Sequence, residues 1–363
     1  MEKDYGFRKV QSTGRGSFII SLPRDWVAGV GIEKGNEIAF KEQDDSSLLL
    51  VPRELMEGKK ASKSELKEFW INVDPKDDPQ SVCRKILSLY VVSADLIRIN
   101  FRDSEKSQIH KAAINALVKK KLLGSEIIEE TNKQITIQIL IDHPDFPLEK
   151  AIRRMAILAL SANKDVLRAL KIEEDDLAHE IIDTCDDVKR LNLYVIRQLK
   201  SSLERNEYED LGFKTPKEFL GYRIVTSDIR SIADDAVNIV SNISALRRMI
   251  KEQTLFLRDT IDEEVYSQIS KFNSSSHEML EESLKAMFKR DYVHADKIVT
   301  RLESMTELEN DLLAVMSSKK LDPNVSSIFR LVLDGSRRIL EYSRDISEVT
   351  LNRTIEEIAS PVL

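Results

Sequence analysis

Asp183, Asp187 and Asp234 are the carboxylates whose type and spacing could hold a metal ion. Asp183 and Asp187 stand four residues apart in a stretch of helical period, so both fall on one face. Asp234, on a later helix, could complete an oxygen-ligand site for magnesium or another hard cation. A solvated acidic face is the competing reading. Glu173-Glu-Asp-Asp176 opens the same helix, where negative charge suits the helix dipole, and Glu180 and Asp186 continue it. Asp234 also belongs to a second pattern. Arg230-Ser-Ile-Ala-Asp234-Asp235-Ala-Val-Asn-Ile239 and Arg337-Arg-Ile-Leu-Glu341-Tyr-Ser-Arg-Asp-Ile346 repeat Arg, Ile, acid and Ile at one constant offset. Arg and acid at i and i+4 share a helical face and support the helix by some tenths of a kcal/mol. An arginine stays protonated at neutral pH and cannot ligate a cation. The surface bearing Arg230, Asp234, Asp235, Arg337 and Glu341 therefore suits packing or the docking of a partner.

The second chemistry is phosphate contact. From Tyr5 to Arg24 the chain carries Arg8, Lys9, Arg15 and Arg24 and no acid, although its net charge is −7. Such bases would set the affinity for a nucleic-acid backbone and its salt dependence. A charged hairpin edge, protected from aggregation, is the alternative. A catalytic constellation is missing: there is no Gly-rich loop ending in Gly-Lys-Ser/Thr, no nucleophile elbow, no His-Glu-x-x-His and no Cys-x-x-Cys. The expectation is a protein that is not an enzyme and carries no cofactor. His110, His143, His179 and His294 lack ligand-spaced partners and read as surface or packing residues. Cys83 and Cys185 are too isolated for a disulfide framework. With the polar start Met1-Glu-Lys-Asp4 and no apolar run near the roughly 18 residues of a membrane span, they point to a reducing cytoplasm and no membrane insertion.

The elements that must position these residues fall into segments. Residues 5–52 alternate Phe18, Ile20 and Leu22 against Ile19 and Ser21 up to Pro23, run through a short helix from Arg24 to a Gly29/Gly31 turn, and add strands at Ile38/Phe40 and Leu48/Leu50. The last two strands turn at Asp44-Asp45-Ser46-Ser47. So small a unit is marginal alone, which predicts dimerisation, with Trp26 as a core or dimer plug. Residues 53–64 are polar and small, a linker. Residues 66–142 predict a β-α-β-α-β-β sandwich, with helices at Pro79–Ser93, entered by Asp78-Pro79, and at Lys106–Lys121, and a hairpin turn at Asn132-Lys133. Asp142-His-Pro-Asp-Phe-Pro147 is a boundary, after which the period is helical throughout.

Six helical segments follow, broken at Lys171–Asp175, Gly212–Thr215, Arg258–Asp262, Arg290–Asp291 and Lys320–Asp322. They make two three-helix units, 148–258 and 262–360, with the Arg/acid signature on the third helix of each. Thr215-Pro216-Lys-Glu218 reads as a capping box, and Asp322-Pro323 as a second start signal. The second helix carries the stripe Leu177, Ile181, Cys185, Val188, Leu191, Val195 and Leu199; the fifth carries Ala295, Ile298, Leu302, Met305, Leu308, Leu312 and Val315.

Two resemblances attach to these segments. Gly14-Arg-Gly-Ser-Phe-Ile-Ile-Ser-Leu-Pro23-Arg-Asp-Trp26 with Gly31-Ile32-Glu-Lys-Gly35-Asn36-Glu-Ile38 resembles the AbrB (SpoVT/AbrB-type) family, with Gly16 seven residues before Pro23 and hence a longer first loop. The resemblance implies a swapped-hairpin barrel shared by a homodimer that grips DNA with N-terminal arginines. The repeated acid-bearing helix, Ala233-Asp-Asp-Ala-Val-Asn-Ile239 and Arg338-Ile-Leu-Glu-Tyr-Ser-Arg-Asp-Ile346, resembles the PhoU family of phosphate-uptake regulators across 148–363. Many of its members place an acid four residues before the motif acid and bind metal clusters; here Arg230 and Arg337 stand there. Together the resemblances imply a DNA-binding regulator of phosphate uptake and intracellular phosphate homeostasis. The alternative is an adaptor that negatively regulates a phosphate ABC transporter ATPase or its signalling kinase, the barrel serving dimerisation alone.

Overall fold

A computed structural model describes residues 4–14, 16–42, 46–53, 66–103, 106–141, 146–171, 175–252 and 261–359. Arg15, His143, Glu173 and Glu174, and the turn residues Asp44 and Asp45, lie outside these. Two compact units emerge, Met1–Leu66 and Lys67–Leu363.

The first unit holds two separate antiparallel hairpins. Strands β1 (Gln11–Thr13) and β2 (Ser17–Ile19) pair across the glycine turn, with Phe18 opposite Ser12. Gly16 there has φ +80°, open to glycine at no steric cost. Helix α1 (Arg24–Val30) starts behind Pro23 and stops at Gly31, which adopts the left-handed conformation that closes a helix. Strands β3 (Ile38–Glu42) and β4 (Leu48–Pro52) pair with Phe40 opposite Leu50. Among the described residues of this unit only Pro52 is buried.

The second unit begins with a four-stranded sheet in the order β5-β6-β8-β7. Its strands are β5 (Glu68–Val73), β6 (Leu96–Phe101), β7 (Ser125–Glu130) and β8 (Gln134–Ile139). Strands β5 and β6 are parallel, the other pairs antiparallel. Helices α2 (Pro79–Val91) and α3 (Gln108–Lys121) supply the crossovers, so the β-α-β-α-β-β order read from the alternation is the one formed. Asp78 caps α2 by accepting from the backbone N–H groups of Gln80 and Ser81. Ile71, Ile97, Ile99, Ile135 and Ile137 share one core with Ile86, Tyr90 and Ile114 of the helices.

Six long helices follow: α4 (Leu148–Lys171), α5 (Asp175–Arg205), α6 (Glu218–Lys251), α7 (Glu263–Lys289), α8 (Tyr292–Ser318) and α9 (Pro323–Ile358). They form tandem three-helix bundles, α4–α6 and α7–α9, over one continuous core. Asp262, Asp291 and Asp322 cap α7, α8 and α9 with their carboxylates. Helix α6 starts differently from the capping-box expectation. It opens at Glu218 without a side-chain cap, because the Glu218 carboxylate accepts from the Lys214 N–H and is drawn into ion pairs with distant arginines. The stripe on α5 is buried except for half-buried Leu177, whereas on α8 Leu308 is exposed and Met305 and Val315 are half-buried beside a groove against α7.

The α/β layer is mounted on the bundle by one buried arginine. Arg197 of α5 donates to the carbonyls of Tyr90 (2.9 Å) and Ala94 (2.7 Å), lies 3.4 Å from the Asp95 carboxylate and stacks on Tyr90. Ser93 returns a bond to the Arg197 carbonyl. Three hydrogen bonds to one guanidinium make its burial tolerable, and they fix α5 against the end of α2. His110 sits here as a packing residue, buried, with Nε2 2.9 Å from the Asp77 carbonyl.

Candidate functional site

Two regions carry the residues singled out in the sequence. In the N-terminal unit Arg8, Lys9 and Arg24 are all exposed. Around them Tyr5, Ile20, Leu22, Pro23, Trp26 and Leu50 line an apolar cavity of about 310 Å³ that Arg8 also borders. Phe7, Phe18 (75% exposed) and Phe40 (63%) project from the unit without cover. A single chain thus presents bases and a broad apolar face together, and leaves Trp26 half-buried.

The second region is the seam between α6 and α9, where the two bundles meet. Arg230 pairs with Asp234 at 2.8 Å and Arg337 with Glu341, each at i and i+4 as the spacing requires. Asp234 receives a second cation, Lys189 of α5, at 3.5 Å, and Lys189 also reaches Asp186 at 3.6 Å. Asp183 and Asp187 stand exposed on α5. Among the described residues no three His, Cys, Asp or Glu side chains are grouped to hold a metal ion. Lys189 and Arg230 occupy the positive side of Asp234, so this donor set does not fit a resident cation. The sequence pattern could not reveal Lys189, because the i, i+4 rule reads one helix at a time.

Across the seam Arg338 donates to Asp235 at 2.6 Å. The hydroxyls of Tyr342 and Ser231 hydrogen-bond each other. By the signature's own offset Ser231 corresponds to Arg338 and Asp235 to Tyr342. The two contacts are therefore one contact repeated with the helices exchanged, the mark of a local two-fold relation inside one chain. Burial pushes Asp235 upward, opposed by Arg338. Burial, then Asp345 of α9, raises Asp228 to about 7, and one of its oxygens is buried without a hydrogen-bond partner. Gly335 brings α9 close to α6: a Cβ there would lie 3.6 Å from Ile239. Next to the seam, Asn273 of α7 donates to Asn163 (2.8 Å) and to Ser336 (2.9 Å), and His277 lies 2.9 Å from Asn163.

A third constellation escaped the sequence reading. Glu218 of α6 is clasped by Arg353 of α9 and by Arg290, 3.1 Å away at the end of α7. Arg290 also holds Glu357 at 2.7 Å, and Arg353 donates to the Met287 carbonyl at 2.9 Å. Arg290 adopts φ +55°, the left-handed conformation that ends α7. A cavity of about 390 Å³ opens beside this network, lined on its apolar side by Leu220, Ile224 and Val349. Gly221 is obligatory there, because a Cβ would meet Val349 at 2.6 Å.

Comparison with known proteins gives this geometry a class. Residues 152–243, nearly the whole first bundle with its Arg/acid signature, match the model of the PhoU domain. Residues 11–56 match the model of the antidote-toxin recognition MazE family of bacterial antitoxins. The chain thus carries a MazE-like segment in the unit of two hairpins and a PhoU domain in the helical body. Among solved structures, the phosphate transport system regulatory protein PhoU from Streptococcus pneumoniae is similar at 15% identity and a TM-score of 0.40, covering 59% of this chain and 96% of its own. No curated protein sequence matches. No helix among the described residues is long and apolar enough to cross a membrane.

Proposed function

We propose that this protein is a DNA-binding transcriptional regulator of phosphate uptake and intracellular phosphate homeostasis, not an enzyme, working as a homodimer closed through its N-terminal hairpins. The observation that carries the reading is the N-terminal unit, where exposed Arg8, Lys9 and Arg24 stand beside an apolar face with no cover from its own chain. A second copy supplies that cover and closes the barrel, and the paired bases, Arg15 included, meet the phosphates of a duplex. The PhoU match supports the phosphate link and places signal reception in the helical body. There Arg230, Asp234, Asp235, Arg337 and Glu341 serve the seam between bundles, with Arg230 and Arg337 the more accessible to a partner. Genome-wide capture of bound DNA at high and low phosphate tests both halves of the reading; the expected result is occupancy at phosphate-uptake genes that changes with supply. The PhoU match by itself also favours the adaptor reading. Co-elution of a transport ATPase or a signalling kinase, with no DNA retained at low salt, would establish that reading instead.

A further inference from the structure

The helical layer of the α/β module carries an unusual charge distribution. Helices α2 and α3 contain Arg84, Lys85, Lys111, Lys119, Lys120 and Lys121 and not one acid, in a chain with 62 acids and 55 bases. Lys111 is engaged: its ammonium donates to the Thr131 carbonyl at 2.7 Å and lies over the Phe101 ring. The other five are exposed. Arg84 reaches only Asp78, at 3.4 Å, with both side chains largely in water, so that pair is weak. Lys85, Lys119, Lys120 and Lys121 make no ion pair with any described residue. Lys121 and Arg84 both act on the thiol of Cys83, which places the end of α3 beside the first half of α2 in one basic surface.

The dipole of α3 accounts for a cation in its last turn. It does not account for three in succession, which point about 100° apart around the axis, or for two more on α2. The acids Glu68 and Glu129 sit instead in the sheet layer, where they bracket Arg98. Between the lysines and the start of α3 the exposed face consists of Ala112 and Ala116, with Ile109 at its head. A membrane surface would select large apolar side chains among the bases. A smooth alanine face flanked by lysines instead admits close approach of a stiff, evenly charged rod.

We propose that the α2–α3 face of the α/β module is a second DNA-backbone contact, with Arg84, Lys85, Lys119, Lys120 and Lys121 set against phosphates. It rests on the DNA-binding reading of the N-terminal unit and extends it. A duplex held by one module meets the other at high effective concentration, so the two contacts reinforce each other. Phosphate contacts carry no sequence code, so this face adds affinity and leaves operator choice to the N-terminal unit.

The test measures full-length protein on a labelled mixed-sequence duplex by fluorescence anisotropy across a salt series. Lys119→Gln/Lys120→Gln/Lys121→Gln is compared with the arginine-for-lysine triple variant and with Arg8→Ala/Arg24→Ala. For the glutamine variant the slope of log K against log salt should become shallower by about 2.7, or 0.9 for each phosphate lost. The arginine variant should keep the wild-type slope. Arg8→Ala/Arg24→Ala should lose about 1.8 separately. A glutamine variant with the wild-type slope, while Arg8→Ala/Arg24→Ala weakens binding, overturns this inference and leaves the N-terminal reading standing. Wild-type protein that ignores DNA at low salt overturns both. Loss of binding to phosphatidylglycerol vesicles, with DNA binding intact, would make the face a membrane contact and overturn it too.

Discussion

The two units of this chain solve burial in opposite ways. The helical body encloses its own core: Met155, Phe329 and Ile152 are fully buried, and even its charged clasps sit inside it. The N-terminal unit leaves its largest apolar side chains in water and builds its strands as separate pairs. A fold of about 50 residues cannot bury enough surface alone, so what looks unfinished in one chain is the interface of two. Autonomy therefore belongs to the unit read as a receiver of signals, and dependence on a second copy to the unit read as the DNA reader.

That contrast can be broken most sharply at the apolar face. Phe18→Asp/Phe40→Asp should cost on the order of 6 kcal/mol per dimer, about ten-thousandfold in its dissociation constant. Sedimentation should then show monomers, with the helical body still folded; an unchanged dimer would mean that this face is not the interface. The helical body should fail in its own way. Glu218→Gln leaves Arg353, only 6% exposed in its side chain, without its counter-charge and should cost about 3–5 kcal/mol in urea unfolding, at any protein concentration. A loss that grew on dilution would erase the distinction between the units.

Smaller effects follow from pH. Asp228, with its folded pKa raised to about 7 from 3.8, binds its proton more tightly folded than unfolded. The stability it confers is complete below 3.8 and is lost as pH rises through about 7. His277 has its folded pKa depressed to about 4 from 6.5 by burial, and then by Lys164. Its share is complete above 6.5 and is lost as pH falls through about 4. Asp228→Asn should therefore steady the helical body at neutral pH by about 1–2 kcal/mol, once partial exposure is allowed for, and flatten the alkaline side of its melting-temperature profile. A profile unchanged by the substitution would show Asp228 to be ionised at no cost. Smallest of all, Arg230→Ala or Arg337→Ala should change stability by a few tenths of a kcal/mol, because each pair is an exposed i, i+4 contact. A measured loss above about 1 kcal/mol would give these arginines a structural task beyond pairing.

The fold was largely legible because its signals are local. Asp78, Asp262, Asp291 and Asp322 stand where the helices start, and the period-two isoleucines of the α/β module all find the core. The candidate site was legible only in part. The offset between Arg230 and Arg337 marked the two helices that meet, and the intrahelical pairs followed from spacing. Arg338 on Asp235, Lys189 on Asp234, Arg353 on Glu218 and Arg197 on the α/β layer join residues far apart in sequence, and no period encodes such partners.

By itself, then, the sequence determined the order of elements, the internal repeat, the acid-free N-terminal stretch and the signatures of two families, all carried by neighbours along the chain. Tertiary structure decided the rest. It turned three aspartates with the spacing of a cation site into one exposed pair and one carboxylate shared by Lys189 and Arg230, and a capping residue into the anchor of two arginines. Ion pairs are settled by which charge arrives within a few ångströms once the helices pack, and that distance exists only in the folded chain.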